Sequence, residues 1–202
     1  MASIDPACNG EKLGHPFFAR PADVLAPDLI GKILVRRWRG RYLPGRIVET
    51  EAYMGPEDLA CHSSKGLTKR TRVLLGPPGR AYVYLIYGMY DMFNIVAHRA
   101  GGGQAVLIRA AEPLDGWDAD LSGPGKLARA FHITRAENGI DLTGDRLFLR
   151  KGGDAVPRIV TTPRIGVDYA RHWKDATLRY LDADSPAVSG KRSLNSLSAS
   201  GR

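Results

Sequence analysis

The sequence predicts an α+β fold, in which a single mixed domain has a mainly antiparallel, curved β-sheet flanked by helices and long loops. Three observations predict it. Short runs rich in Val, Ile and Tyr recur along the chain at strand length. Turn residues separate consecutive runs, as in β-hairpins. Two further stretches carry the start and stop signals of short helices.

In the first half of the chain, a helix and a hairpin precede a long loop. The helix is expected to run from Pro21, because proline suits the first helical turn, to Gly31. Two strands follow, Lys32–Trp38 and Arg46–Tyr53, joined by a turn that contains Gly and Pro. Residues 55–79 are punctuated by Gly and Pro and are expected to be mostly loop.

The second half of the chain continues the sheet. A helix is expected at Gly125–Phe131, after Ser-Gly-Pro, and a helical turn at residues 168–173. The expected strands are Ala81–Ile86, Asp91–Ala97, Gln104–Ala110, Arg146–Leu149, Arg158–Val160 and Leu178–Leu181. We expect a flexible leader over residues 1–16 and the folded domain over residues 17–184. Residues 185–202 have little to bury and are expected to be a disordered tail.

Composition and charge limit the function classes. The 202-residue chain is 44% hydrophobic and 25% charged, as is usual for a soluble globular protein. Its 29 Lys and Arg against 21 Asp and Glu give a net charge of +8, which favours a polyanionic partner. The sequence has no run apolar enough to span a bilayer and no secretory signal pattern. We therefore expect an intracellular protein without a membrane partner, located with the nucleoid in a bacterium or otherwise in a nucleus.

Two carboxylates within one predicted strand are the most informative local feature. Glu49 and Glu51 alternate, which puts both on one face together with Ile47 and Tyr53. Acids have low β-propensity, and residues that break a local rule are often functional. Either both acids are solvated, or one is a general base that holds a water and the other is structural. Glu51 is the better candidate for the base, because Tyr53 follows it and the chain then leaves the strand.

A run of tyrosines and a basic loop are candidates for contact with nucleic acid. Tyr82 and Tyr84 alternate in a strand and are equally compatible with a place in the core. Tyr87 precedes Gly88, so a turn there would push its ring outward as a wedge or a platform for nucleobases. The best candidates for phosphate contacts are Lys69, Arg70 and Arg72, although a charge run is more often a solvated loop.

A metal site is the alternative for the loop after the first hairpin. Glu57, Asp58, Cys61 and His62 are all metal-ligand types. Their spacing argues against zinc, because there is no H-E-x-x-H, no paired Cys and no second His nearby. We therefore expect neither a metal nor another cofactor.

Several longer motifs occur in a fixed order along the chain. They are Arg46–Tyr53, Gly55–Asp58 with His62, Tyr82–Tyr90 with Asn94, Val106–Ala110 with Glu112-Pro113, Ser122–Pro124 with Lys126-Leu127, and Arg164–Val167. Together they resemble the alkyladenine (3-methylpurine) DNA glycosylase family. The resemblance extends from about Leu29 to about Leu181, and motifs of this length are highly specific.

The resemblance implies a function and residue roles. Members of this family flip alkylated or deaminated purines out of duplex DNA and hydrolyse the N-glycosidic bond. Glu51 would then activate the attacking water, Arg109 would help to hold the nucleotide and that water, and Tyr87 would intercalate into the DNA. The implied base pocket consists of Tyr53, His62, Tyr84, Asn94, Leu107 and Ile165. The implied DNA-backbone contacts are made by Lys69, Arg70, Arg72, Met89, Tyr90 and Lys126.

The resemblance further implies a monomeric, monofunctional enzyme in which water is the nucleophile and an abasic site is the product. Its partner would be double-stranded DNA that contains a damaged purine. Lys65 and Lys69 remain open as alternative amine nucleophiles, and the preferred lesion remains open among 3-methyladenine, 7-methylguanine, hypoxanthine and ethenoadenine. A non-catalytic nucleic-acid-binding module is the alternative from another class, although such a module needs no carboxylate directed at DNA.

Overall fold

A computed structural model describes residues 10–153 and 156–190 of the chain. Within these residues the helices are α1 (His15–Phe18), α2 (Ala22–Leu29) and α3 (Pro124–Ala130). The strands are β1 (Ile33–Trp38), β2 (Arg41–Tyr53), β3 (Ala81–Ile86), β4 (Tyr90–Ala97), β5 (Gln104–Pro113), β6 (Leu147–Arg150), β7 (Ile159–Thr162) and β8 (Arg179–Asp182). Short 3-10 helices lie at His62–Lys65, Arg135–Glu137 and Arg171–Asp175.

The strands form one curled antiparallel sheet. Its main path runs β3-β4-β5-β2-β1-β6, and β8 pairs with both β2 and β7. All strand pairs of this sheet are antiparallel. The predicted fold class, a single α+β domain with a curved antiparallel sheet, is therefore confirmed.

The first hairpin differs from the sequence prediction. Its turn is the tight pair Arg39-Gly40, both with positive φ, and β2 already begins at Arg41. Pro44 and Gly45, which we expected in the turn, lie inside β2. Gly45 is needed there because a Cβ would approach the ring of Phe131 to 2.9 Å.

The main core lies between one face of the sheet and the helices. Leu25, Ala26 and Leu29 of α2 are buried in it, together with alternate residues of β3, β4 and β5 such as Val83 and Ile108. Burial of this apolar area is the main stabilising contribution to the domain. The opposite face of the same strands carries the side chains that line a cavity, which is described below.

β2 changes the face that it presents to the core. Its register with β5 is irregular on either side of Glu49. Ile47 and Ala52 both pack in the main core, and the hydroxyl of Thr50 donates to the carbonyl of Ala26 in α2 at 2.9 Å. The expectation that Ile47 shares a face with Glu49 is therefore wrong, because a bulge-like irregularity breaks the simple alternation of a strand. Beyond it, the acids lie on the face opposite the core.

The packed chain extends past the expected domain bounds of 17 and 184. Leu13 is buried in the main core, and Ser189 is buried against β2. The rest of the expected leader and tail, residues 1–9 and 191–202, lies outside the described residues. None of the helices found in the described residues is both long and apolar enough to cross a membrane.

Candidate active site

A cavity opens on the sheet face opposite the main core. It encloses about 700 Å³ of empty space, its open mouth included. All six residues predicted for the base pocket line this cavity, namely Tyr53, His62, Tyr84, Asn94, Leu107 and Ile165. Arg109, predicted to help to hold the nucleotide and the water, lines it as well. These residues come from β2, β3, β4, β5, a 3-10 helix and a loop, so the curled sheet is what brings most of them together.

Glu51 is fully buried and contacts three residues that line this cavity, namely Tyr53, Arg109 and Ile165. Its Oε2 accepts a hydrogen bond from the hydroxyl of Tyr53 at 2.9 Å. Its Oε1 accepts from the backbone N–H of Ile165 at 2.8 Å, and Nη1 of Arg109 lies 3.3 Å from the same oxygen. Oε2 keeps more unused acceptor capacity than Oε1, and it can therefore accept from a further donor such as water.

Glu49 is also fully buried and holds two arginines. Its Oε1 accepts from Nε of Arg109 and from Nε of Arg179, both at 2.7 Å. Ser189 completes the cluster, because its backbone N–H and its hydroxyl both donate to this carboxylate. Two carboxylates and two guanidinium groups thus balance in charge, as buried ionic groups must.

Aromatic rings form the walls of the cavity. His62 and Tyr84 meet edge to face with ring centroids 4.5 Å apart, and Nδ1 of His62 lies 2.9 Å from the hydroxyl of Tyr82. Burial, and then the nearby Arg70, lowers the pKa of His62 to about 4, so its ring is neutral near pH 7. Burial, and then Glu51, raises the pKa of Tyr53 well above its ordinary value, so its hydroxyl stays a donor.

One polar and two apolar residues contribute to the lining of the cavity. Asn94 is buried, and its Nδ2 donates to the carbonyls of Tyr82 and Met92 at 3.2 and 3.3 Å. Leu107 is buried next to it on β5, and Ile165 is partly exposed at the rim. Cys61 also lines the cavity, with Sγ 3.1 Å from the hydroxyl of Ser63.

In the loop after β2, Asp58 forms an ion pair with Arg164. Asp58 accepts two hydrogen bonds from Arg164, at 2.5 and 2.9 Å, and both side chains are fully buried. Among the described residues, no group of three or more His, Cys, Asp or Glu is arranged to hold a metal ion. The alternative of a metal site at Glu57, Asp58, Cys61 and His62 therefore lacks its ligand cluster.

The β3–β4 hairpin supplies Ile86 and Met92 to the cavity lining and ends in an exposed tip. Tyr87 is 83% exposed and has a φ of 52°, and Gly88 after it has a φ of 70°. A left-handed conformation costs a tyrosine about 1–2 kcal/mol, and tight hairpin turns commonly require it. Met89 and Tyr90, next along the chain, are exposed as well.

The predicted phosphate contacts lie in two places. Lys69, Arg70 and Arg72 are exposed in the loop before β3, and the guanidinium of Arg70 lies 4.7 Å from the ring centre of Tyr84. Lys126 is on α3 and pairs with Asp120 at 2.8 Å. Arg70 thus covers a cavity wall, whereas Lys69 and Arg72 have no such contact with the walls.

Sequence reasoning missed three contributors to the site. Tyr169 lines the cavity, and Arg179 and Ser189 hold Glu49. Tyr82, which the sequence left between the core and nucleic-acid contact, lines the cavity and orients His62. Tyr169 could have been suspected, since it is an aromatic close to a recognised motif. Arg179 and Ser189 carry no local signal, because each is far from Glu49 in sequence.

Comparisons with known proteins were made for the whole chain. Residues 16–186 match the family model described as methylpurine-DNA glycosylase. A protein of Legionella pneumophila (strain Lens) is 48% identical over 179 residues, covering 88% of this chain and 98% of its own length. Proteins of Methanocella arvoryzae and Myxococcus xanthus are 47% and 49% identical, cover 88% of this chain, and are themselves covered to 95% and 93%. All three relatives carry the provisional name 3-methyladenine DNA glycosylase.

Proposed function

The chain belongs to the methylpurine-DNA glycosylase family and is a DNA glycosylase, and from this premise we propose that it excises alkylated or deaminated purines from duplex DNA with a water activated by Glu51. The observation that carries the proposal is the position of Glu51. It is a buried carboxylate in contact with three residues that line an aromatic cavity, and the hairpin with the exposed tip supplies Ile86 and Met92 to the same lining. A protein that only binds DNA gains nothing from such a group.

The cavity suits a purine that has left the helix. A base inside a duplex cannot reach a buried acid, so the nucleotide must flip, at a cost of a few kcal/mol. Tyr53, His62 and Tyr84 offer ring surfaces on which a flat base can stack. Tyr87, on the exposed tip, would fill the gap that the base leaves in the stack.

Glu51 would then supply the chemistry. Tyr53 and Ile165 fix its carboxylate, and Oε2 accepts a water that attacks C1′ of the sugar. The carboxylate takes the proton of that water and stabilises the positive charge that develops on the sugar. Nη1 of Arg109, 3.3 Å from Oε1, places a positive charge beside this acid.

We propose a monofunctional reaction that leaves an abasic site. Among the described residues that line the cavity none is a lysine, so no amine is in place to attack the sugar. Lys65 and Lys69 are exposed and are not part of this lining. The product would therefore be an intact strand that lacks one base.

Two factors would select damaged purines over normal ones, namely the quality of the base as a leaving group and a clash with Asn94 in the cavity. Alkylation of a ring nitrogen puts positive charge on the purine, which makes it a better leaving group and favours stacking on tyrosine. Asn94 is held by two backbone carbonyls and would clash with the exocyclic amino group of guanine.

The test is base release from a panel of duplexes that contain 3-methyladenine, 7-methylguanine, hypoxanthine or ethenoadenine, with an unmodified duplex as the negative control. The wild type should release at least one modified base and leave abasic sites without strand cleavage.

Glu51→Gln should keep its affinity for DNA and lose on the order of 10²–10⁴ in the rate of base release. Glu57→Gln, at an exposed acid of the neighbouring loop, is the matched control and should keep the wild-type rate. Release by Glu51→Gln near the wild-type rate would refute water activation by Glu51.

A further inference from the structure

The carboxylate of Glu49 accepts four hydrogen bonds. Its buried carboxylate accepts hydrogen bonds from Arg109 on β5, from Arg179 on β8, and from the backbone N–H and hydroxyl of Ser189. The four distances lie between 2.6 and 2.8 Å. Hydrogen bonds to a charged group are among the strong ones, so these contacts hold the cluster rigidly.

Arg109 connects this cluster to the reacting acid. Its Nε donates to Glu49, its Nη2 donates to the hydroxyl of Ser189 at 3.2 Å, and its Nη1 is 3.3 Å from Glu51. A planar guanidinium that is held at Nε and Nη2 can direct Nη1 in only one way. Glu49 and Ser189 therefore determine where Arg109 meets Glu51.

Glu49 and Ser189 do not line the cavity, whereas Arg109 does. Their contacts with Arg109 connect these two residues to the lining of the cavity. Arg179 has a different place in the cluster, because it donates to Glu49, to the hydroxyl of Thr162 and to the carbonyl of Ser189. It thus links the cluster to β7 and to the segment after β8.

We propose that Glu49 and Ser189 are positioning residues that aim Arg109 at Glu51, and that the segment 185–190 is thereby part of the active site. The inference rests on the role proposed for Glu51. It assigns a function in the reaction to the stretch of chain that follows the last strand, where the sequence predicts only a tail.

The test compares two buried hydroxyls, that of Ser189, which contacts Glu49 and Arg109, and that of Thr162, which contacts Arg179 instead. Ser189→Ala removes the first hydroxyl, and Thr162→Val removes the second. Base release is measured in single turnover with saturating enzyme, on the modified duplex that the wild type processes fastest. DNA affinity and melting temperature are measured in parallel. Ser189→Ala should slow base release about tenfold with unchanged affinity, as loss of a hydrogen bond to a charged group predicts. Thr162→Val should keep the wild-type rate.

Two further variants separate positioning from a general loss of structure. Ser189→Thr restores a hydroxyl and should recover most of the rate. Glu49→Gln should lose about 10²-fold, as expected when a catalytic group is misplaced by about 1 Å. Equal rates in Ser189→Ala and wild type, equal losses in Ser189→Ala and Thr162→Val, or failure of Ser189→Thr to recover the rate would overturn the proposal.

The same series distinguishes the two proposals. If the wild type releases no modified base, or if Glu51→Gln releases it normally, the proposed function fails. If the wild type is active and Glu51→Gln is not, yet Ser189→Ala has the wild-type rate, only the positioning role of Ser189 fails.

Discussion

The hydroxyl of Tyr53 donates a 2.9 Å hydrogen bond to Oε2 of Glu51, two residues earlier on the same strand. Residues i and i+2 of a strand share a face, so this contact follows from the backbone itself. It gives Tyr53 two tasks, since its ring is a wall of the cavity and its hydroxyl orients the acid.

Tyr53→Phe should separate these two tasks. The ring still stacks, but Glu51 loses a donor, so we expect base release to slow by about tenfold while the affinity for a modified duplex stays within a factor of about two. Single-turnover rates and a binding titration measure the two quantities. Tyr42→Phe, an exposed tyrosine on the same strand, is the control for removal of a hydroxyl. An unchanged rate in Tyr53→Phe would show that Glu51 needs no orientation from this side.

Tyr87→Ala should weaken flipping more than chemistry. Loss of a stacked aromatic is worth about 1–3 kcal/mol, so release from a well-paired lesion should slow by about tenfold or more. The same lesion in a mispair, which is already partly unstacked, should be affected less. Rates on the two duplexes decide the question, and an equal loss on both would contradict the role of Tyr87 as a wedge.

His62 should make the folded state sensitive to acid. Its pKa is about 4 in the folded protein against about 6.5 in an unfolded chain, so only the unfolded state binds this proton between those values. Stability is therefore complete above about pH 6.5 and falls as the pH falls toward 4, by at most about 3 kcal/mol from this group.

Urea unfolding from pH 7 to pH 4.5 tests this dependence. His62→Gln should be less stable than the wild type at pH 7, and the difference should shrink as the pH falls. His172→Gln, at an exposed histidine, should follow the wild-type curve. Parallel curves for wild type and His62→Gln would contradict a histidine that is neutral in the folded state.

Asp58→Asn should destabilise the protein strongly. It would leave the fully buried guanidinium of Arg164 without its counter-charge, and breaking such a pair from one side costs about 3–5 kcal/mol. The double variant Asp58→Asn with Arg164→Met removes the unpaired charge and should recover part of that loss. Thermal unfolding measures both, and a loss in the single variant of less than about 1 kcal/mol would show that the pair is not important for stability.

The affinity for DNA should depend steeply on salt. Each phosphate contact releases about one counterion, so Lys69→Ala and Arg72→Ala should each reduce the slope of log affinity against log salt by about one. Lys151→Ala is the control, because Lys151 follows β6, at the other end of the main sheet path from β3. Equal slopes for all three variants and wild type would show that this loop does not contact phosphates.

Much of the fold could be predicted from local pattern. The strands β1, β3 and β4 agree with their predicted bounds to within a residue or so, because strand length, alternation and turn residues are written in consecutive positions. The first hairpin was placed less well. Pro44 and Gly45 read as a turn, yet they lie inside β2, where the approach of Phe131 requires the glycine. Packing from a distant segment overrides a local preference in such cases.

The sequence by itself determined the family, the candidate acid Glu51 and most of the aromatic residues of the cavity, since these lie in motifs of contiguous residues. Only the tertiary structure decided how the acids are held. The irregularity next to Glu49 turns Ile47 into the core, and Arg109, Arg179 and Ser189 arrive at Glu49 from segments 60, 130 and 140 residues away. Pairing between residues so far apart in sequence produces no periodic pattern in the sequence. It depends on how the sheet curls and on β8, which takes the place of β1 beside the second half of β2. The physical reason is that a buried carboxylate must find its counter-charges in space, wherever in the chain they are encoded.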